Sequence, residues 1–302
     1  MPIRYLKNKQ IDKTRWDEII DKSPNGLIYA YSWYLDELAE HWDALIIGDY
    51  EMIMPLPWKY KYGLPLIYTP FFVQRLGIFA KSEITIDMYA TFLKAIPRKF
   101  RYINLSLCIN EPVPLRNVLL KRKRTNFILQ IDKPYEDIRK GYSRNVKRIL
   151  DNNVNCRFRL SDDLSGILIN YQDTFKKKVS IDMEKSFESI AAAAQMALEK
   201  KFLIPCELVG EDDERLASFL FFTSHGRAYS LAGGQTQKGY ALNATYRLMD
   251  CFFQTYCQQI KIFDFEGSDV PGIAEFFKKW GSQPEYYSQI CLARFPINLL
   301  KK

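Results

Sequence analysis

Between Tyr229 and Tyr287 the chain reads strand, glycine-rich loop, helix, strand, second loop, helix, strand, an order that few folds can carry. Gly233, Gly234 and Gly239 are expected in the first loop, just before a helix over 242–259. Free N–H groups at a helix N-terminus can hold a phosphate. Ordinary turn chemistry accounts for the same glycines equally well. Lys238 either adds charge to such a site or is a solvated loop lysine, and Asn243 either contacts a ligand or caps the helix, the cap being favoured. About twenty residues on, Asp264 and Glu266 lie two apart on the next expected strand and would share one face. An anion cradle beside a carboxylate pair suits an enzyme that holds a phosphorylated carrier and takes a proton from a nucleophile. The bland alternative has these acids capping the next loop or pairing with Lys278 or Lys279.

A chain of 302 residues fits about two domains of roughly 150 residues each. Its 47% hydrophobic content is enough for ordinary cores, and 19 Tyr and 20 Phe suit strand-rich mixed α/β packing. The cysteines at 108, 156, 206, 251, 257 and 291 are scattered, with no CxxC pair, so neither a zinc knuckle nor a disulfide framework is indicated. A reducing cytoplasm is the expected setting. The N-terminal residues MPIRYLKNKQ lack a signal-peptide core, and no run approaches the roughly 20 apolar residues of a membrane span. His41, expected late in a helix, and His225, expected in a turn, show no triad or metal spacing.

The net charge of +8 is concentrated: residues 94–148 carry 15 basic and 4 acidic side chains, including Lys121 to Arg124 and Arg144, Lys147 and Arg148. Either this is a solvated basic face, or it attracts phosphate-bearing ligands, coenzyme A ahead of RNA.

Helices are expected over 31–42, 85–96, 135–152, from Asp162-Asp163 to about 178, and over 186–201. Lys176, Lys177 and Lys178 suit the C-terminal end of the fourth. Strands are expected over 44–48, 51–56, 64–79 in two pieces broken near Pro70, 101–108, 125–131 and 154–160. Further strands at 204–210 and 215–223 flank an acidic turn at 211–214, and 226–232 continues the meander. Pro55, Pro57, Pro65 and Pro70 argue for edge or irregular strands. No low-complexity linker divides the chain. The boundary is placed within 130–153, giving domains 1–135 and 136–302.

Helix, meander, helix, strand, helix, strand is the order of the GNAT acyltransferase fold, and the C-terminal run resembles the FemAB-like branch with tandem GNAT domains. The residues that carry the resemblance are Tyr229, Gly233, Gly234, Tyr240 and Asn243, then FDFEGSDVPGIAEFFKKWGSQP. Ser143-Arg144-Asn145-x-x-Arg148 resembles that branch's basic helix, and IYAYSWYLDELAEHW with its Pro-rich meander fits the N-terminal part. The resemblance implies an α/β (α+β) chain of two tandem GNAT-like domains, each a mixed, largely antiparallel sheet flanked by helices, the second with the more complete donor site.

The resemblance also implies acyl transfer to a small-molecule or peptide amine, with acetyl-CoA or another acyl-CoA as co-substrate and no metal. The donor would lie along Gly233, Gly234, Gln235, Thr236, Gln237, Lys238, Gly239, Tyr240, Ala241 and Asn243. Gly239 and Ala241 match the usual coenzyme A loop, while Thr236 stands where that loop has Arg or Gln. Phe276 and Phe277 stand where many GNAT enzymes place a tyrosine acid. Glu266 is the first candidate for the base and Asp264 the second. Tyr31, Trp33, Gln74, Arg75 and Tyr229 are candidates for the acceptor site, or are core. Some FemAB-like members use aminoacyl-tRNA instead, which makes tRNA an alternative partner. A catalytically degenerate GNAT-fold binding protein is the reading from another class.

Overall fold

The computed structural model describes residues 1–115, 118–176, 183–267 and 269–294, without the side chains of 175–176 and 183–185. In chain order the elements begin β1 (Ile3–Leu6), α1 (Lys13–Lys22), α2 (Ser32–Leu38), β2 (His41–Ile47), β3 (Met52–Lys61), β4 (Leu64–Ile67), β5 (Phe79–Ala80), α3 (Ile86–Ala95), β6 (Tyr102–Leu107) and β7 (Val118–Gln130). Next come α4 (Tyr135–Lys140), α5 (Arg144–Asp151), β8 (Arg157–Leu160), α6 (Leu164–Lys176) and α7 (Met183–Glu199). The chain continues with β9 (Leu203–Val209), β10 (Arg215–Ser224), β11 (Arg227–Gln235), α8 (Gln237–Ala241), α9 (Ala244–Tyr256), β12 (Ile262–Asp264), α10 (Pro271–Lys278) and β13 (Gln283–Ala293). Contacts group these into two compact units, Met1–Thr125 with the chain from Tyr286 onward, and Asn126–Glu285.

In the first unit the strand order is β1-β2-β3-β4-β6-β13, with β5 on β3. All neighbours are antiparallel except β4 and β6. Phe92, Phe100, Ile103 and Leu105 centre the core under α3, and Trp16 of α1 packs on Trp42 with ring centroids 5.2 Å apart. The helix expected over 31–42 stops at Leu38, so His41 opens β2 rather than ending a helix. The prolines do not mark an edge, because β3 lies between β2 and β4/β5. The carbonyl of Pro57 accepts the Tyr68 N–H at 3.1 Å, away from β2. A strand residue presents its N and its carbonyl to the same side. Pro55 and Pro57 therefore place their missing N–H where β3 has left β5 at Ile53 and not yet met β4 at Trp58.

In the second unit the order is β7-β12-β11-β10-β9-β8. The meander β9-β10-β11 is antiparallel, and β11 with β12 is parallel. Its core gathers Phe221, Phe252, Phe253, Phe263 and Trp280. Asp163 caps α6 by accepting the Gly166 N–H at 2.8 Å. Lys177 and Lys178 and the side chain of Lys176 lie outside the described residues. The acidic segment 211–214 is the β9–β10 turn as expected. The single basic helix expected over 135–152 is two helices: α4 ends at Gly141, and Ser143 starts α5 afresh by accepting the Val146 N–H. Gly141 is a weak helix former and Ser143 a strong cap, and together they outweigh continuous propensity.

The turn joining β3 to β4 is two residues long, Tyr62 with φ +51° and Gly63 with φ +74°. Such a turn matches the twist of a hairpin but requires left-handed backbone at both positions. Glycine accepts this freely, whereas a bulky residue pays about 1 kcal/mol. Tyr62→Asn is expected to raise the free energy of unfolding by about 0.5–1 kcal/mol, since asparagine tolerates the left-handed region. Urea denaturation with an unchanged m-value is the check.

Candidate functional site

The site is centred on the parallel pair β11/β12. Pairing runs only from Arg227↔Ile262 to Tyr229↔Asp264. Beyond it β12 ends, while β11 continues to Gln235 against β10 alone among the described strands. A bulge at once follows: Leu220 faces Ala232 and Phe221 faces Ser230, leaving Leu231 as the extra residue. Bulges bend a strand and disturb its ladder locally. The crevice beyond the carboxyl ends of parallel strands is where open α/β sheets hold ligands.

Asp264 closes β12 and is fully buried. Its Oδ2 accepts from Arg227 Nη1 at 2.6 Å, and its Oδ1 accepts the Glu266 N–H at 2.9 Å. The same guanidinium donates to both oxygens of Glu285, at 3.1 and 3.0 Å, and Asn126 donates to Glu285 Oε2 at 3.1 Å. Burial works against the charge on Arg227, but Asp264 and Glu285 more than offset it and hold its pKa above the ordinary value. A carboxylate so paired is an anchor rather than a base.

Glu266 does not share a strand face with Asp264. The strand has ended, and Glu266 sits with φ +65° before Gly267 at φ +60° in a half-buried left-handed turn. Tyr171 of α6, which sequence reasoning missed, lies within reach of its charge. Burial, and then the charge of Glu266, push the Tyr171 phenol above its usual value. The signal for Tyr171 was absent because helix periodicity marks only a buried face, not what lies across it.

Gly233 and Gly234 are inside β11, not in a loop. A Cβ on Gly233 would lie 2.1 Å from the Phe219 ring, and one on Gly234 would lie 2.3 Å from Thr174 Oγ1 and 2.9 Å from the Asn170 carbonyl. Asn170 Nδ2 donates to the Gly234 carbonyl at 3.0 Å, so these glycines let α6 lie close on β11. Gly239 is similar, since its Cβ would fall 1.9 Å from the Leu216 carbonyl. Leu216 is skipped in the β9–β10 register, and its carbonyl accepts the Thr236 N–H at 2.9 Å.

Thr236 caps the short α8 by accepting the Gly239 N–H at 3.1 Å. Lys238 is ion-paired with Glu214 at the surface. Gln237, Tyr240 and Ala241 are exposed. Asn243 stands at the start of α9 with φ +55° but makes no side-chain cap; Gln235 Oε1 takes the Thr245 N–H instead, at 3.2 Å. Close packing by Phe219, Thr174, Asn170 and the Leu216 carbonyl accounts by itself for glycine at 233, 234 and 239.

Tyr229 is fully buried, its hydroxyl 3.3 Å from Ser224 Oγ. Tyr31, Trp33, Gln74 and Arg75 belong to the first unit. There Tyr31 bonds Asp21 and stacks near Trp33 at 5.9 Å. Arg75 donates to Gln74 Oε1 at 2.7 Å and lies 5.5 Å from the Tyr287 ring centre. Lys278 pairs with Glu275 at 2.8 Å, and in no described ion pair with Asp264.

No protein-family model and no curated protein sequence matches the chain. Solved structures do. FemX matches with a TM-score of 0.70 at 12% identity, over 100% of both chains. The chain shares the fold of FemX. The C-terminal domain of a protein named as a lysylphosphatidylglycerol synthetase, from Agrobacterium fabrum, matches with a TM-score of 0.56 at 9% identity, covering 97% of this chain and 95% of that one. L-PGS from Bacillus licheniformis matches at 0.52 and 11%, covering 95% and 93%. At these identities the likeness is one of fold.

Arg227→Met leaves the buried carboxylate of Asp264, and the part-exposed one of Glu285, without their cation and is expected to cost about 3 kcal/mol of stability, read from the denaturant midpoint. A phenol whose folded pKa lies above its unfolded value, near 10, contributes stability that is complete below that pH and lost above it. Tyr171→Phe should therefore flatten the fall in stability above about pH 10, measured by urea titrations on either side of that pH.

Proposed function

We propose that the chain is an acyltransferase of the FemX and GNAT kind that moves an acyl group to an amine. The observation that supports this most is the parting of β11 and β12 where the Glu266 turn begins. It places a half-buried carboxylate beside an unshared stretch of strand edge. In this reading the β11 edge beyond Tyr229 aligns the acyl donor, and its N–H groups steady the carbonyl as charge develops on oxygen. Glu266 takes a proton from the attacking amine while the carbonyl carbon forms a bond to nitrogen and loses its bond to the carrier. Asp264 holds the turn and does not exchange protons.

Acyl-CoA is the first donor to test, bound along that edge rather than in a glycine cradle. Aminoacyl-tRNA is the second. One observation favours it: the match to FemX runs the full length of both chains. The tandem arrangement of two GNAT-like domains, and a cytoplasmic setting, belong to the same proposal.

Calorimetry with acetyl-CoA, CoA and charged tRNA separates the donors. Heat from either coenzyme A species supports the first, and none from both removes it. Binding of charged tRNA that weakens steeply with salt selects the second. With the donor known, Glu266→Gln is expected to lower kcat by roughly 10²–10⁴-fold with little change in KM; unchanged turnover would take Glu266 out of the reaction.

A further inference from the structure

The β3–β4 hairpin ends in side chains that stand largely in solvent, although Tyr60 still touches the rings of Trp58 and His41. From Trp58 the sequence runs Trp-Lys-Tyr-Lys-Tyr-Gly-Leu, with the turn at Tyr62-Gly63. Tyr62 is 92% exposed, Tyr60 58% and Leu64 47%. Lys61 is exposed beside them, its Nζ 5.5 Å from the Tyr62 ring centre, and Lys59 sits 4.7 Å from the ring of Tyr68. Tyr62 thus occupies a left-handed position disfavoured for a bulky residue. Its one described aromatic contact is with its neighbour Lys61. A costly conformation at an exposed aromatic residue points to use outside the fold.

We infer that this hairpin tip is a contact for an anionic phospholipid surface. Tyrosine suits the headgroup layer, where its ring is buried and its hydroxyl stays wet. Leu64, facing Lys61 across the ladder, supplies an aliphatic group that can enter the acyl boundary. Lys59 and Lys61 have stems that lie along such a surface and ammonium groups that meet lipid phosphates. Base stacking would use the tyrosines but not Leu64. Among the described residues no helix is long and apolar enough to cross a membrane, so the contact is peripheral. It is independent of the reaction proposed above.

The test uses the full chain and vesicles of phosphatidylglycerol with phosphatidylcholine, against vesicles of phosphatidylcholine alone, by co-sedimentation. Binding to the anionic vesicles only, weakened by salt, is expected. Tyr62→Asn with Leu64→Thr should reduce that partitioning roughly tenfold or more. Tyr62→Asn alone, expected to be at least as stable as the parent, should already reduce the partitioning, so lost binding cannot be ascribed to unfolding. Absence of binding to either vesicle overturns the inference, as does binding that the double variant leaves unchanged. If oligouridylate binding falls in Tyr62→Asn while vesicles are not bound, the tip is a nucleic-acid platform and the inference also fails.

Discussion

One guanidinium organises the second unit. Arg227 lies in β11 and holds Asp264 of β12 and Glu285 of β13, and Asn126 of β7 completes the set. Asp264 is fully buried and Arg227 nearly so, and such side chains keep their charges only if they are paired. Asp264 is the last residue of its strand, and its second oxygen reaches forward to the Glu266 N–H. A buried ion pair thereby helps to hold the turn that carries the half-buried Glu266.

Around this node the sheet is made irregular at two places. Leu231 interrupts the β10–β11 ladder just after β12 has ended, and Leu216 interrupts β9–β10 so that its carbonyl turns toward Thr236 and Gly239. Glycine at 234 and 239 answers both the helix and the carbonyl that press on the strand and on the short turn after it. The same residues that could have been a ligand cradle are where the protein packs most closely on itself.

Two of the left-handed positions make a useful contrast. The one at Glu266 is held by a hydrogen bond to a buried, ion-paired carboxylate. The one at Tyr62 stands in solvent at the end of a hairpin, its ring beside the neighbouring Lys61.

Much of the element order was legible in the sequence, because hydrophobic periodicity, caps and turn residues are local properties. The meander with its acidic turn, the Asp163 cap and the helix expected over 85–96 are read from a few neighbouring residues each. The candidate acids at 264 and 266 were also found that way. Their different fates were not, since the partner that separates them, Arg227, is 37 residues away from Asp264. The prolines of β3 looked like edge markers because sequence does not reveal that the neighbouring strands leave a gap there. Gly233 and Gly234 looked like a loop because glycine signals freedom and close approach alike, and only Thr174, Asn170 and Phe219 decide between them. The sequence by itself determined the order of elements and which chemical groups were on hand. The tertiary structure decided that Asp264 is fully buried against Arg227 while Glu266 is half-buried in a turn, because burial and pairing depend on residues brought together from distant parts of the chain.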